Sequence, residues 1–315
     1  MTTLINSLKP HIEAVDKQFV ALFQSANPIM NEVATHLLNV RGKQIRMLMT
    51  LLSAEALGGI TDATHRSAAL IEALHLSTLL HDDVIDHATM RRHQTTVNAR
   101  WDNATAILTG DFIYARCLQT ALQYKDYNAM EHISKAVTEM SDGELLQKYH
   151  TKDFTMTEAV YMDIIRKKTA ALFAASCVCG AISVNATMQS QRQFYNAGLQ
   201  LGIAFQIYDD LLDIMPEAHT GKIKDNDLRE HKMTLPFIHF AQHGTSQQRQ
   251  LLEKLIHGDI SATDTDRAAL LQAVLLTSEG YVRQRIQNHI EQAKTILINY
   301  PKERLCMLFE FSCRS

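Results

Sequence analysis

The sequence predicts an all-α protein, and three observations predict it. The 315 residues include only 12 Gly and 5 Pro, well below the usual levels of about 7% and 5%. Sheets and their turns draw on both residues to set backbone torsions. Between Pro28 and Pro216 there is no proline. Apolar residues recur at three- and four-residue spacing, as from Leu37 to Gly59, where Gly58–Gly59 reads as a helix stop. A β-sandwich, a barrel and most Rossmann-type layouts are excluded. With hydrophobic residues at 46% and a net charge of −3, so is disorder.

Two segments set the architecture. HRSAALIEALHLSTLLHDDVID from His65 and FYNAGLQLGIAFQIYDDLLDI from Phe194 are apolar nearly all round, the mark of buried helices. We expect ten or more helices packed as one domain over 1–315, a single large bundle around these two. The stretch 214–236, polar and bounded by Pro216 and Pro236, reads as the one long loop. No basic block marks a nucleic-acid partner. No apolar run is long enough to span a membrane, and the N-terminus lacks a signal core, so a cytoplasmic location is expected. Cys117, Cys177, Cys179, Cys306 and Cys313 have no zinc-type spacing and read as free thiols.

The chemistry lies in two aspartate clusters, Asp82-Asp83-Val84-Ile85-Asp86 and Asp209-Asp210-Leu211-Leu212-Asp213. Each is DDxxD. Residues four apart share a helix face, so Asp82 pairs with Asp86 and Asp209 with Asp213. Like charges at that spacing repel, and each cluster ends a strongly apolar helix, where burying charge is costly. Two such clusters require a cation. Oxygen ligands without His or Cys favour Mg²⁺, which binds through a few carboxylates plus substrate phosphates. Cations suited to phosphate lie near in sequence: Lys43 and Arg46, Arg91 and Arg92, Lys167 and Lys168, and Lys222, Lys224 and Lys232.

This constellation resembles the trans-isoprenyl diphosphate synthases, the polyprenyl synthetase family, over nearly the whole chain, and most closely its bacterial octaprenyl type. The resemblance rests on GKxxR at Gly42–Arg46, HLSTLLHDDVID at His75–Asp86, RRxxxTVN at Arg91–Asn98 and Gly110–Asp111. It continues in GELLQ at Gly143–Gln147, KTAALF at Lys168–Phe173, AFQIYDDLLD at Ala204–Asp213, and the Gly221–Pro236 segment. It implies an isoprenoid synthase class I bundle, a homodimer, with both aspartate motifs facing a central cavity. Asp82 and Asp86, with Asp209 and Asp213, would bind two or three Mg²⁺ ions; Asp83 and Asp210 complete the motifs. Lys43, Arg46, His75 and Arg92 would hold isopentenyl diphosphate. Arg91, Lys168, Thr169, Gln206 and Lys232 would hold the allylic diphosphate. The reaction would extend an allylic primer, farnesyl diphosphate, for quinone side chains. Release of so apolar a product would involve peripheral membrane contact.

Product length would be gated one turn before Asp82 by Ser77 and Thr78. Both are small, and nothing bulky intervenes until Leu74, about one turn further down. That implies a long product, about C40; the alternatives are a farnesyl or geranylgeranyl synthase, or a non-catalytic subunit of a heteromeric synthase. Retention of Lys43, Arg46 and Arg92 argues against a terpene cyclase. The chain departs from the family pattern at Arg41, Met47, His93, Thr95, Asp225, His231 and Met233, where Gly or Pro is usual. Glycine permits positive φ and close approach, so these changes touch loop geometry around the substrates. Phe205, Tyr208 and Trp101 read as packing residues.

Overall fold

The computed structural model describes residues 2–39, 42–92, 94–216, 225–259 and 263–312. Helix dominates. Arg41, His93, Gly221, Lys222, Lys224 and Cys313, all weighed above, lie outside the described residues. The chain forms two compact units: residues 1–134, 175–195 and 299–308, and residues 135–174, 196–298 and 309–315.

In the first unit, α1 (Thr2–Ala21), α2 (Pro28–Leu38) and α3 (Ile45–Ala56) lead to α4 (Asp62–Ile85), the first of the long buried helices. Local chemistry sets the boundaries. Asn27 caps α2 by accepting from the Ile29 amide, with Pro28 in the first turn. Thr61 and Thr64 form a reciprocal cap on α4. Helix α3 ends at the predicted stop: Gly58 and Gly59 take φ of 129° and 136°, and the Gly59 amide returns to the Ala54 carbonyl. Helix α4 packs against α1, α3 and α6 (Asn103–Tyr124). Small Ala68, Ala69 and Ala73 alternate there with Leu70, Ile71 and Leu74, all buried. Between α4 and α6 lie a hairpin of two two-residue strands, β1 (Met90–Arg91) and β2 (Gln94–Thr95), and the short α5 (Val97–Arg100). The composition gave no sign of this hairpin.

The second unit holds most of α7 (Tyr127–Tyr149), then α8 (Glu158–Ile165), which runs into a π-helical turn at Arg166–Ala170 before α9 (Ala171–Ser183). The C-terminal part of α10 (Met188–Ile214) is the second long buried helix. Phe173 stacks on Phe205 at 5.1 Å, and Tyr208 is buried, which confirms packing roles for both α10 rings. The expected loop after α10 is shorter than the two prolines suggest. It contains α11 (Asn226–Arg229), and Pro236 belongs to the first turn of α12 (Leu235–His243), where its missing N–H is harmless. Helices α13 (Ser246–Ile256) and α14 (Asp264–Ile296) complete this unit, and α15 (Glu303–Ser312) ends the chain.

Cys117, Cys177 and Cys179 are free and buried, and Cys306 is buried. Burial pushes the Cys117 and Cys177 thiols up to about 12 and Cys179 upward as well. A thiol so raised is inert. In native protein near neutral pH, Cys117, Cys177 and Cys179 should therefore resist iodoacetamide, whereas denaturant should make all three react. Peptide mass spectrometry reads the difference.

Candidate active site

In the first unit, Asp82, Asp83 and Asp86 occupy the C-terminal end of α4, where the helix dipole is itself negative. Asp82 is half-buried and Asp86 exposed, while Asp83 is buried. Asp83 turns to the hairpin and accepts from the Arg91 Nε at 2.8 Å, with Nη2 at 2.7 Å. Asp83 is thus tied to Arg91.

Close to that pair the protein gathers cations. Arg46 lies 3.0 Å from His75 Nε2. Desolvation lowers the Arg46 guanidinium to about 10, partly offset by Glu72 and reinforced by Arg92. Burial, then Arg46, Arg92 and Arg91, hold His75 well below its ordinary value, so it stays neutral. Arg92 is lowered by burial and by Arg91. Gly42 is the cradle for Arg92: a Cβ there would overlap its guanidinium. Three arginines around a neutral imidazole make an anion-binding surface. Lys43 is exposed on the same loop. Met47, where proline is usual, donates its amide to Glu72 Oε1 at 2.9 Å, a bond proline lacks.

Ser77 and Thr78 differ from each other. Ser77 is buried and donates to the Gly110 carbonyl at 2.9 Å across the α4–α6 contact. Thr78 is half-buried and donates to the His75 carbonyl.

In the second unit, a cavity of about 340 Å³ is lined by Gln147, Lys168, Thr169, Gln206, Asp209, Asp210, Asp213, Asp227 and Lys232, among others. Asp210 accepts from the Tyr161 hydroxyl at 2.6 Å and from Gln206 Nε2 at 2.7 Å. Thr169 donates to Gln206 Oε1 at 2.6 Å. Lys168 Nζ lies 2.5 Å from Glu144 and 3.2 Å from Gln147. The π-turn presents Lys168 and Thr169 here, a distortion frequent at functional sites. Gly143 permits it, since a Cβ would lie 2.6 Å from the Lys168 amide. Lys167 instead pairs with Asp142 and Asp163, both at 2.9 Å. Lys232 pairs with Glu230.

The carboxylates here repel one another. Asp209 is exposed, but Asp210, Asp213 and Asp227 are not. Burial, with Asp209 and Asp213 adding to it, pushes Asp210 up to about 7. Burial first, then Asp225 and Glu230, raises Asp213. Asp227 is raised well above its ordinary value by burial, Asp210 and Asp213. Its Oδ2 is buried without a hydrogen-bond partner. Such a group accepts a hard cation. Among the described residues no three His, Cys, Asp or Glu side chains form a ready metal cage, so a cation would take further ligands from water or phosphate. The oxygen-only donor set fits Mg²⁺. Sequence reasoning missed Asp227 and Tyr161. The DL pair at Asp227–Leu228 was visible, but its depth was not. Tyr161 carried no signal.

Two lost glycines are explained here. Asp225 and His231 take φ of 52° and 58°, left-handed values at which Asp and His are better tolerated than most residues. Each is tied: Asp225 accepts from Arg229 Nε at 2.6 Å, and His231 Nδ1 lies 3.0 Å from the Leu255 carbonyl. Met233 is buried beside the cavity.

The polyprenyl synthetase family model matches residues 27–274. The chain belongs to the polyprenyl synthetase family. It is 39% identical to octaprenyl diphosphate synthase of Escherichia coli (strain K12) over 72% of this chain and 71% of that one. It is 29% identical to geranylgeranyl diphosphate synthase of Methanosarcina mazei over 98% and 96%. A decaprenyl diphosphate synthase structure from Rhodobacter capsulatus superposes with a TM-score of 0.90 at 31% identity, covering 99% and 97%. The fold is that of the class I isoprenoid synthases, as the aspartate motifs implied. These polyprenyl synthetases carry names that span several product lengths.

The buried carboxylates set a pH dependence. Folded Asp210 keeps its proton up to about pH 7, whereas an unfolded Asp releases it near 3.8. Between those values the folded state binds the extra proton, so stability falls as pH rises and the contribution is gone above about pH 7. The melting temperature of metal-free protein should fall across that window. Asp227→Asn should flatten the slope and raise the melting temperature at about pH 8, by about 2 °C or less per kcal/mol of repulsion relieved, while lowering activity. Differential scanning fluorimetry against pH checks it.

Proposed function

We propose that this chain is a Mg²⁺-dependent trans-polyprenyl diphosphate synthase that adds isopentenyl diphosphate to an allylic diphosphate. The observation that carries the reading is the carboxylate group of buried Asp210 and Asp213 and half-buried Asp227, which shares a cavity with Lys168 and Lys232. Anionic walls and ammonium groups lining one cavity suit a metal-bound diphosphate.

Asp82, Asp86, Asp209 and Asp213 would hold the ions, two or three in number, with Asp227 as a further carboxylate. When bound, Mg²⁺ neutralises the departing diphosphate. Lys168, Thr169 and Lys232 bind the allylic diphosphate oxygens, and Gln206 orients Thr169. Substrate would compete Lys168 away from Glu144 and Lys232 away from Glu230, which keeps both ammonium groups in place beforehand. In the first unit Arg91, proposed as a further allylic diphosphate ligand, is anchored to Asp83. Lys43, Arg46, His75 and Arg92 hold isopentenyl diphosphate, with His75 neutral so that it adds hydrogen bonding without further repulsion.

The allylic carbon–oxygen bond ionises, the isopentenyl double bond attacks the cation, and a proton leaves the adduct to restore a double bond. No protein nucleophile is required. Positioning and stabilisation of charge on the leaving group supply the acceleration. We propose a single catalytic domain acting as a homodimer; on α6, Ile107, Leu108 and Leu122 expose apolar surface that a second copy would cover. Among the described residues no helix is long and apolar enough to cross a membrane.

We further propose a long product, about C40, because no aromatic residue stands at Ser77 or Thr78. Product length after incubation with Mg²⁺, farnesyl diphosphate and labelled isopentenyl diphosphate tests both readings. A ladder ending near C40 is expected; a shorter ladder would retain the reaction and refute the long tunnel. Absence of product from folded protein would favour the non-catalytic subunit. Asp82→Ala should reduce turnover by at least about a hundredfold, the scale of losing one preorganised electrostatic element, with the fold intact by circular dichroism. Thr78→Phe should shorten the product. Ser77→Phe instead should overpack the Gly110 contact and destabilise the fold by about 1–3 kcal/mol.

A further inference from the structure

We infer that His36, which none of the motifs includes, is a positioning residue for the arginine pair Arg91–Arg92. This rests on the reading of Arg92 as a ligand of isopentenyl diphosphate.

The hairpin that carries these arginines has little stability of its own. Each strand is two residues long, and isolated two-stranded ribbons are marginal at best. Arg92 takes φ of 51°, a left-handed conformation costly to a non-glycine residue. Something outside the hairpin must hold it. On the β1 side, Asp83 holds Arg91. On the β2 side, His36 does.

His36 lies near the end of α2 and is buried, 6% exposed. Its Nε2 is 2.8 Å from the Thr95 carbonyl. Its Nδ1 is 2.8 Å from Arg100 Nη1 and 2.9 Å from Gln94 Nε2. Gln94 Nε2 also donates to the His36 carbonyl at 3.0 Å. These partners fix the tautomer. A guanidinium only donates, so Nδ1 must accept and carries no proton. A carbonyl only accepts, so the ring proton sits on Nε2. The neutral ring is thereby satisfied at both nitrogens by both residues of β2 and by α5. Trp101 closes the pocket edge-on at 5.3 Å, with Arg100 stacked over it at 4.7 Å.

The consequence passes directly to the arginines. Gln94 is the register partner of Arg91, and Arg92 follows in the turn. Arg92 must also fit over Gly42, where there is no room for a Cβ. A β2 strand free to shift would move Arg92 off that cradle, while Arg46 and His75, on other helices, stayed in place. Loss of His36 should thus weaken isopentenyl diphosphate binding selectively.

The test compares His36→Leu, His36→Gln and Arg92→Ala. KM for each substrate and kcat are measured, with titration calorimetry of isopentenyl diphosphate and melting temperature alongside. His36→Leu is expected to raise the isopentenyl diphosphate KM and Kd about tenfold, the scale of one lost buried hydrogen-bonded anchor. The allylic KM should change less than twofold. His36→Gln, whose amide can still donate to Thr95, should recover most of that loss. If Arg92→Ala weakens isopentenyl diphosphate and His36→Leu does not, the positioning role is overturned and the functional reading stands. If Arg92→Ala has no effect on that substrate, the reading itself falls, and this inference with it. Should His36→Leu fail to fold, Gln94→Ala decides, since it removes only the β2 tether: an unchanged isopentenyl diphosphate KM would sink the proposal.

Discussion

Like charges packed close together are the constraint on which the rest of the site depends. In the second unit, buried Asp210 and Asp213 lie beside half-buried Asp227, and each is pushed toward its protonated form. In the first, Arg46, Arg91 and Arg92 surround an imidazole that they help to keep neutral. Neither arrangement stabilises the fold. Buried like charges are tolerated because hydrogen bonds and packing hold them, as Tyr161 and Gln206 hold Asp210. On the proposed function, ligands of opposite charge would release such strain, and energy spent against stability in the free protein would become selectivity for a metal-bound diphosphate.

The same constraint explains the small structural devices near these groups. A π-turn aims Lys168 and Thr169 at the cavity, and Gly143 leaves the space that the turn needs. Asp225 and His231 stand in left-handed conformations where glycine is usual, and each offsets that backbone cost with a side-chain bond of its own. Met47 uses an amide that proline would lack. These departures thus keep the backbone path while changing how it is held. They leave the charged groups intact, which agrees with membership of the polyprenyl synthetase family at 39% identity to an octaprenyl diphosphate synthase.

Much of this was legible in the chain. Scarcity of Gly and Pro and the all-round apolar pattern around Leu74 and Ala204 gave the helices, because burial on every face leaves no polar stripe. The two DDxxD motifs were legible, since their spacing is local to the chain. The hairpin at Arg91 was not legible. Its strands are too short for a period, and tertiary anchors at Asp83 and His36 hold them. The depth of Asp227 and the role of Tyr161 were hidden for the same reason: burial belongs to the packing around a residue.

By itself, then, the sequence determined the fold class, the family and the charged residue types, because helical periodicity and the DDxxD spacing are local properties of the chain. Tertiary structure alone decided which charges are forced together, which cations are already paired, and what holds the loops that carry them. Those outcomes depend on desolvation and on distances between residues far apart in sequence. The short stretch from Met90 to Thr95 shows the division: its two arginines were read directly, but their positions are set by Asp83, Gly42 and His36.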